Sequence, residues 1–275
     1  MSDAANTSRS ATSETGEVLA GGNMGEVVRI GDTVRRPAGE WTPAVQRLLV
    51  ALGESGVSGI PVPLGLDERG REMLSFVEGE NLASADPAVL WSERVLSDAG
   101  ALLRRLHDAS VPLIGAGLVW RTAAREPVEV ICHNDFATYN LIVRDGELVG
   151  AIDFDLASPG PRLWDLAYLA YRIVPYAADA PDTDALDRDA RLLALLDAYG
   201  TDASPRQVLA AAAERLDELE AFTRERAAET GRADLLEHAA MYRADAAALR
   251  GELGGAGVSR ARGRQSVRVI WMRRP

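Results

Sequence analysis

Between residues 133 and 155 the sequence reads His133-Asn134-Asp135-Phe136-Ala137-Thr138-Tyr139-Asn140 and then, after an apolar run, Ile152-Asp153-Phe154-Asp155. Asp135 and Asn140 are five residues apart, and Asp153 follows thirteen later. Between them, Leu141-Ile142-Val143 and Leu148-Val149-Gly150-Ala151-Ile152 flank Asp145-Gly146, a strong hairpin signal. A hairpin of that length brings Asp153 back beside Asn140. One carboxylate and one amide oxygen are hard ligands suited to Mg²⁺, which keeps some waters and takes its other ligands from nucleotide phosphates. Asp135 is then free to accept the proton of an attacking hydroxyl and hold it in line with a phosphorus atom.

The composition narrows the alternatives. The chain has 275 residues, 41 acidic and 30 basic, for a formal charge of -11. That balance argues against nucleic-acid or anionic-membrane partners and fits a protein that attracts small cations. The one cysteine, Cys132, excludes an internal disulfide framework and a cysteine-clustered zinc site. No apolar stretch approaches the roughly 20 residues that span a bilayer. The first residues lack the layout of a signal peptide, so a cytoplasmic location is expected. There is no lysine anywhere. That excludes a Walker-A phosphate loop and Schiff-base chemistry.

Around this segment the sequence predicts two lobes. Residues 1–16 read as a disordered leader. Residues 17–79 read as a short meander with a glycine-rich tip (Gly21, Gly22, Asn23, Gly25) and a strand Thr33-Val34-Arg35-Arg36. A helix starts at Thr42-Pro43, with Val45, Leu48, Leu49 and Leu52 on one face. A strand pair follows near Leu64–Leu66 and Glu72–Val77. Glu78-Gly79-Glu80 marks a boundary. Residues 80–252 carry a long amphipathic helix through Leu96, Ala99, Leu103 and Leu106, the hairpin, and helices near 162–174, 184–199, after Ser204-Pro205, and 232–252. Residues 253–275 form a basic tail. The fold class is α+β, with a small antiparallel-sheet lobe and a larger, mostly helical one bearing the catalytic hairpin.

H-x-D-x-x-x-x-N followed by I-D-F resembles the catalytic and metal-binding loops of the aminoglycoside phosphotransferase/choline kinase-like family, relatives of protein kinases. Ala157-x-x-Gly160-x-x-x-x-Asp165-Leu166-Ala167 is similar to that family's continuation, and the resemblance covers roughly residues 17–250. It implies Asp135 as catalytic base or hydroxyl positioner and Asn140 and Asp153 as magnesium ligands. It also implies His133 as a support of the loop and Asp165 as its brace. Asn134 stands where most members have Gly, a departure that Asn accommodates because it tolerates unusual backbone angles. Asp155 either assists the metal or is simply hydrogen-bonded.

The small lobe departs more from the family. Its strand lysine is absent, and strand alternation puts Val34 and Arg36 on one face. Val34 is expected to line the adenine pocket and Arg36 to replace the lysine as phosphate partner, with Arg35 next in line. The helix face near Val45-Gln46 offers no acid to pair with that cation. Gly22, Asn23 and Gly25 are expected to approach the phosphates, and the linker Ser75-Phe76-Val77 to contact the purine. Cys132 beside His133 is not read as a nucleophile, since strand neighbours point oppositely. His107 and His238 show no metal spacing. Trp164, Tyr168 and Tyr171 are read as core, with a share in the acceptor site left open.

The expected activity is Mg²⁺-dependent transfer of the γ-phosphate of ATP or GTP to a hydroxyl of a small, amine-bearing molecule, with an antibiotic as first choice. A metabolite kinase acting on choline, amino alcohols, amino acids or sugars is the alternative. A catalytically weak nucleotide-binding regulator is the reading from a different class.

Overall fold

The computed structural model describes residues 16–19 and 26–254. The expected leader up to Thr15, the glycine-rich tip with Gly22, Asn23 and Gly25, and the basic tail from Gly255 lie outside the described residues. Five short strands, β1 (Glu17–Leu19), β2 (Val27–Ile30), β3 (Thr33–Arg36), β4 (Pro63–Leu66) and β5 (Glu72–Ser75), form an antiparallel sheet in the order β1-β2-β3-β5-β4. β3 is its centre, and Arg36 pairs directly with Glu72 of β5. Helix α1 (Thr42–Glu54) packs on this sheet with Val45, Leu48, Leu49 and Leu52 buried, as its 3.6-residue period requires.

Past Gly79 the chain forms the two-residue strand β6 (Glu80–Asn81) and the one-turn α2 (Pro87–Leu90). Helix α3 (Glu93–Ser110) follows, capped by the Ser92 hydroxyl, which accepts from the Val95 amide. Leu96, Ala99, Leu103 and Leu106 are all buried along it. Each fully buried Leu contributes roughly 1.5–3 kcal/mol, so this one face is a large share of the core. Strand β7 (Val130–Cys132) pairs with β10 (Ser158–Gly160), and the hairpin is β8 (Leu141–Arg144) with β9 (Glu147–Ala151). Helices α4 (Arg162–Ile173), α5 (Arg188–Tyr199), α6 (Pro205–Thr230) and α7 (Asp234–Gly254) complete the large lobe. The helix expected from 184 starts at 188 instead. Asp187 accepts from the Ala190 amide there and so fixes the first turn.

The hairpin is clamped on both edges. On one side β6 pairs with β8. On the other, the Gly59 carbonyl accepts the Ala151 amide at 2.9 Å. A Cβ on Gly150 would lie 1.9 Å from that carbonyl oxygen. Glycine at 150 is therefore required by close approach of two backbones. Gly150→Ala is expected to cost about 1–3 kcal/mol of stability, measured by urea unfolding; an unchanged midpoint would show that the clamp yields freely.

Candidate active site

The loop expected to be catalytic runs from the end of β7 to the start of β8, and a buried carboxylate shapes it. Asp165, on the first turn of α4, is fully buried. Its Oδ2 accepts the His133 amide at 2.6 Å and His107 Nε2 at 3.1 Å, while Oδ1 accepts the Asn134 amide at 2.8 Å. Burial alone would raise this carboxyl. The hydrogen bond and charge of His107, with His133 and Arg215, outweigh it and hold Asp165 below the usual carboxylate range. Asn134 sits at φ 63°, the left-handed region that Asn tolerates better than most residues. Its side-chain amide donates to the Leu156 carbonyl and to Ser158 Oγ, tying the loop to the segment after Asp153.

His133 supports the loop from inside. Its Nδ1 accepts the Asp135 amide at 3.2 Å and its Nε2 donates to the Ile152 carbonyl at 3.0 Å. The ring lies against Phe136 and Phe154, with centroids 5.6 and 4.5 Å away. Asp135 itself is half-buried, and burial pushes its carboxyl up despite the Tyr139 hydroxyl that donates to it. Asn140 Nδ2 donates at 2.9 Å to both Oδ2 and the carbonyl of Asp135. That leaves the Asn140 amide oxygen as the atom available to a cation. The Ile152 amide bonds the Asn140 carbonyl at 2.9 Å, so Asp153, the next residue, stands beside Asn140. Asp153 turns there at φ 63°, and its side chain is 48% exposed.

Arg36 reaches this point from the small lobe and is nearly buried. Its Nε lies 2.7 Å from Glu72 Oε2, one terminal nitrogen 2.6 Å from Asp155 Oδ1, and the other 3.4 Å from Asp153 Oδ1. Burial works against the charge, but Asp155, Glu72 and Asp153 together hold the guanidinium above its ordinary value. Arg35 points elsewhere, to the Thr33 hydroxyl and toward Asp67. Sequence reasoning missed Glu72. The acid partner sought on the helix comes instead from the neighbouring strand, and the helix supplies Gln46, whose Nε2 donates to Glu72 Oε1 at 3.1 Å. No sequence signal pointed to Glu72, because its pairing with Arg36 across β3 and β5 exists only in the folded sheet.

Asp155 is engaged by two ion pairs, 2.6 Å from Arg36 and 3.3 Å from Arg121. Glu72, Asp153 and Asp155 thus face Arg36 and Arg121, an excess of one negative charge. A half-exposed carboxylate, a free amide oxygen and that excess fit a hard divalent cation. Val34 lies on β3 against the core. In the linker, the Ser75 and Phe76 amides bond the carbonyls of Val62 and Asp32.

The remaining candidates are structural. Cys132 is fully buried and donates to the Pro161 carbonyl. Burial, then the charge of Asp165, pushes its thiol well up, which suits a buried structural thiol rather than a nucleophile. His107, which shows no metal spacing in sequence, meets Cys132 and Asp165 with ligand atoms within 4.8 Å. Yet His107 Nδ1 lies 2.7 Å from the Tyr199 hydroxyl and its Nε2 bonds Asp165, so this cluster is a brace. Trp164, Tyr168 and Tyr171 are buried.

Asp165→Asn puts an amide where three donors need an acceptor. It is expected to cost about 3–5 kcal/mol of stability near neutrality. Because the folded carboxyl lies below its unfolded value, Asp165 contributes fully above the ordinary carboxylate range and loses its contribution as pH falls through the lowered value. The gap between wild type and variant in urea unfolding should therefore narrow in strong acid; a gap independent of pH would contradict this.

Residues 114–189 match the phosphotransferase enzyme family. A trifolitoxin immunity protein of Rhizobium leguminosarum bv. trifolii is 39% identical over 148 residues, which are 51% of this chain and 55% of that protein. The chain thus spans about half the length of the curated relative it matches. Among solved structures, a spectinomycin phosphotransferase in complex with ADP and spectinomycin superposes with a TM-score of 0.63 at 13% identity, covering 86% of this chain and 93% of that one. An ethanolamine kinase of Plasmodium vivax gives 0.59 at 12% identity, over 86% and 83%. A macrolide 2'-phosphotransferase of Brachybacterium faecium gives 0.55 at 16%, over 83% and 91%. The chain has the two-lobed, protein-kinase-like fold of these small-molecule kinases, and its residues 114–189 match the phosphotransferase enzyme family.

Proposed function

We propose that this protein transfers the γ-phosphoryl group of ATP or GTP to a hydroxyl of a small, cationic molecule, and that the acceptor is an antibiotic or toxin. The observation that carries the reading is that Asn140 hydrogen-bonds Asp135, that Asp153 follows the residue whose amide bonds Asn140, and that Arg36 lies 3.4 Å from Asp153. Asn140 and Asp153 would hold Mg²⁺, which when bound neutralises phosphate charge. Arg36 faces the same point. Its Nε and one terminal nitrogen are tightly held, and the nitrogen at 3.4 Å from Asp153 is the one free to turn to a phosphate. Asp135 takes the proton of the acceptor hydroxyl as its oxygen bonds to the γ-phosphorus and the bond to the nucleoside diphosphate breaks. Val34, Ser75, Phe76 and Val77 are the proposed purine contacts, with Gly22, Asn23 and Gly25 covering the phosphates.

The toxin or antibiotic acceptor is supported by the immunity protein among the relatives and by the antibiotic phosphotransferases among the structural neighbours. The ethanolamine kinase favours a second reading, a metabolite kinase with an amino-alcohol acceptor. The regulator reading is weakened by Glu72, which supplies the missing acidic partner. Among the described residues no helix is long and apolar enough to cross a membrane.

Incubation with magnesium, ATP or GTP and a panel of amine-bearing antibiotics, toxins and amino alcohols should give one product heavier by a phosphate. Asp135→Asn should lower its formation by about 10²–10⁴-fold. Nucleotide binding without product on any acceptor would instead support the regulator. Arg36→Ala should weaken nucleotide binding by about tenfold or more, as expected for a charge-assisted contact. Glu72→Gln should weaken it less, because the arginine remains but loses its anchor. Titration calorimetry with magnesium-nucleotide measures both, and unchanged affinity in Arg36→Ala would remove the arginine from the site.

A further inference from the structure

We propose that Tyr139 is a positioning residue for the Asp135 carboxylate, and that Tyr168 acts on that carboxylate through Tyr139. This rests on the phosphotransferase reading. The resemblance assigns neither tyrosine a part in catalysis. Tyr139 lies inside the catalytic loop, between Thr138 and the metal candidate Asn140, and its hydroxyl is 2.5 Å from Asp135 Oδ1.

Proton accounting fixes the direction of the contacts. An ionised carboxylate only accepts, so Tyr139 donates to Asp135. Tyr139 has one hydroxyl proton, so the Tyr168 hydroxyl, 2.9 Å away, donates to Tyr139. The chain of donation runs Tyr168 to Tyr139 to Asp135. Its far end is anchored. Tyr168 is buried on α4, and the Arg215 guanidinium of α6 lies 4.2 Å above its ring while donating to the Asn134 carbonyl. Asp165 and Tyr168 are three residues apart on α4, hence on one face. One helix therefore holds the backbone of the loop through Asp165 and its carboxylate through Tyr168.

The need for this second hold follows from side-chain geometry. The terminal torsion of an aspartate is broad, so a carboxylate bonded through one oxygen can swing. Here Asn140 holds Oδ2 and Tyr139 holds Oδ1. Two donors on different oxygens fix the plane. Each oxygen keeps a second lone pair, and those are what an acceptor hydroxyl meets. Misplacement of a reacting group by about 1 Å can cost 10²-fold. His133 cannot do this work, because its contacts are with the Asp135 amide and the Ile152 carbonyl.

Tyr139→Phe removes only the hydroxyl. We expect kcat for the acceptor identified by mass to fall about tenfold, with KM for the nucleotide and the melting temperature unchanged. Tyr168→Phe should lower kcat less, and the double variant should equal Tyr139→Phe alone, since Tyr168 works through Tyr139. A purely structural role would move melting temperature and KM and leave kcat. Unchanged kcat in Tyr139→Phe would overturn the proposal, and single effects that multiply in the double variant would overturn the part given to Tyr168. A readout without turnover is the infrared carboxylate band of protein labelled with ¹³C-aspartate, assigned by its loss in Asp135→Asn. That band should shift in Tyr139→Phe. Were the wild-type chain to phosphorylate nothing, the function would fall, whereas an unshifted band would refute the tyrosine contact.

Discussion

Burying a carboxylate inside a protein is costly unless donors surround it, and the large lobe is organised around one such group. Asp165 has no exposed surface and accepts from two backbone amides and a histidine. Those amides belong to consecutive residues, His133 and Asn134, so the carboxylate fixes two peptide planes at the start of the catalytic loop. The left-handed turn at Asn134 follows, and Asp135 is the next residue. His107 brings α3 to the same carboxylate, and Tyr199 brings α5 to His107. Three helices and the loop are thus tied through one side chain. Nothing downstream of it, neither the hairpin nor the place of Asp153, is independent of that tie.

The small lobe answers a different constraint. A chain without lysine has arginine as its permanent side-chain cation, and a guanidinium is bulkier and needs more partners to be held. Glu72 lies directly opposite Arg36 in the sheet, so the hold is built into strand register and does not wait on the placing of a helix. Gln46 then links α1 to the pair by hydrogen bonding to Glu72. The helix keeps a share in positioning the cation without carrying the acid. Asp155 and Arg121 extend the network across the cleft, where Arg121 also lies 4.2 Å over the Trp41 ring of the small lobe. Ion pairs from Arg36 to Asp153 and Asp155 thus join the small lobe to the large one.

What the sequence disclosed followed the range of each interaction. Asp135, Asn140 and Asp153 stand out because their relation is local: a loop, a tight hairpin and a return. The long helices were equally plain, since their apolar faces repeat over many turns, as at Leu96, Leu103 and Leu106. Glu72 was hidden because its partner lies 36 residues away and the register that joins them is not written in either segment. Strands β6 and β10 were hidden by length, being two and three residues. Tyr139 gave no signal, for a tyrosine within a polar motif has no period and its meaning depends on Tyr168, 29 residues on. The backbone approach of Gly59 to Gly150 likewise exists only once two segments are folded together.

The family match covers residues 114–189. That window holds the loop, the hairpin, Asp153 and Asp165, where each group must sit within hydrogen-bonding distance of the next and the peptide planes themselves take part. Few sequences satisfy that geometry. The cation of the small lobe obeys a looser rule, because Coulomb attraction falls slowly with distance and asks for charge near a point, with no set donor. Here the cation is Arg36 and its acidic partner Glu72 comes from the neighbouring strand, within the fold of the small-molecule kinases.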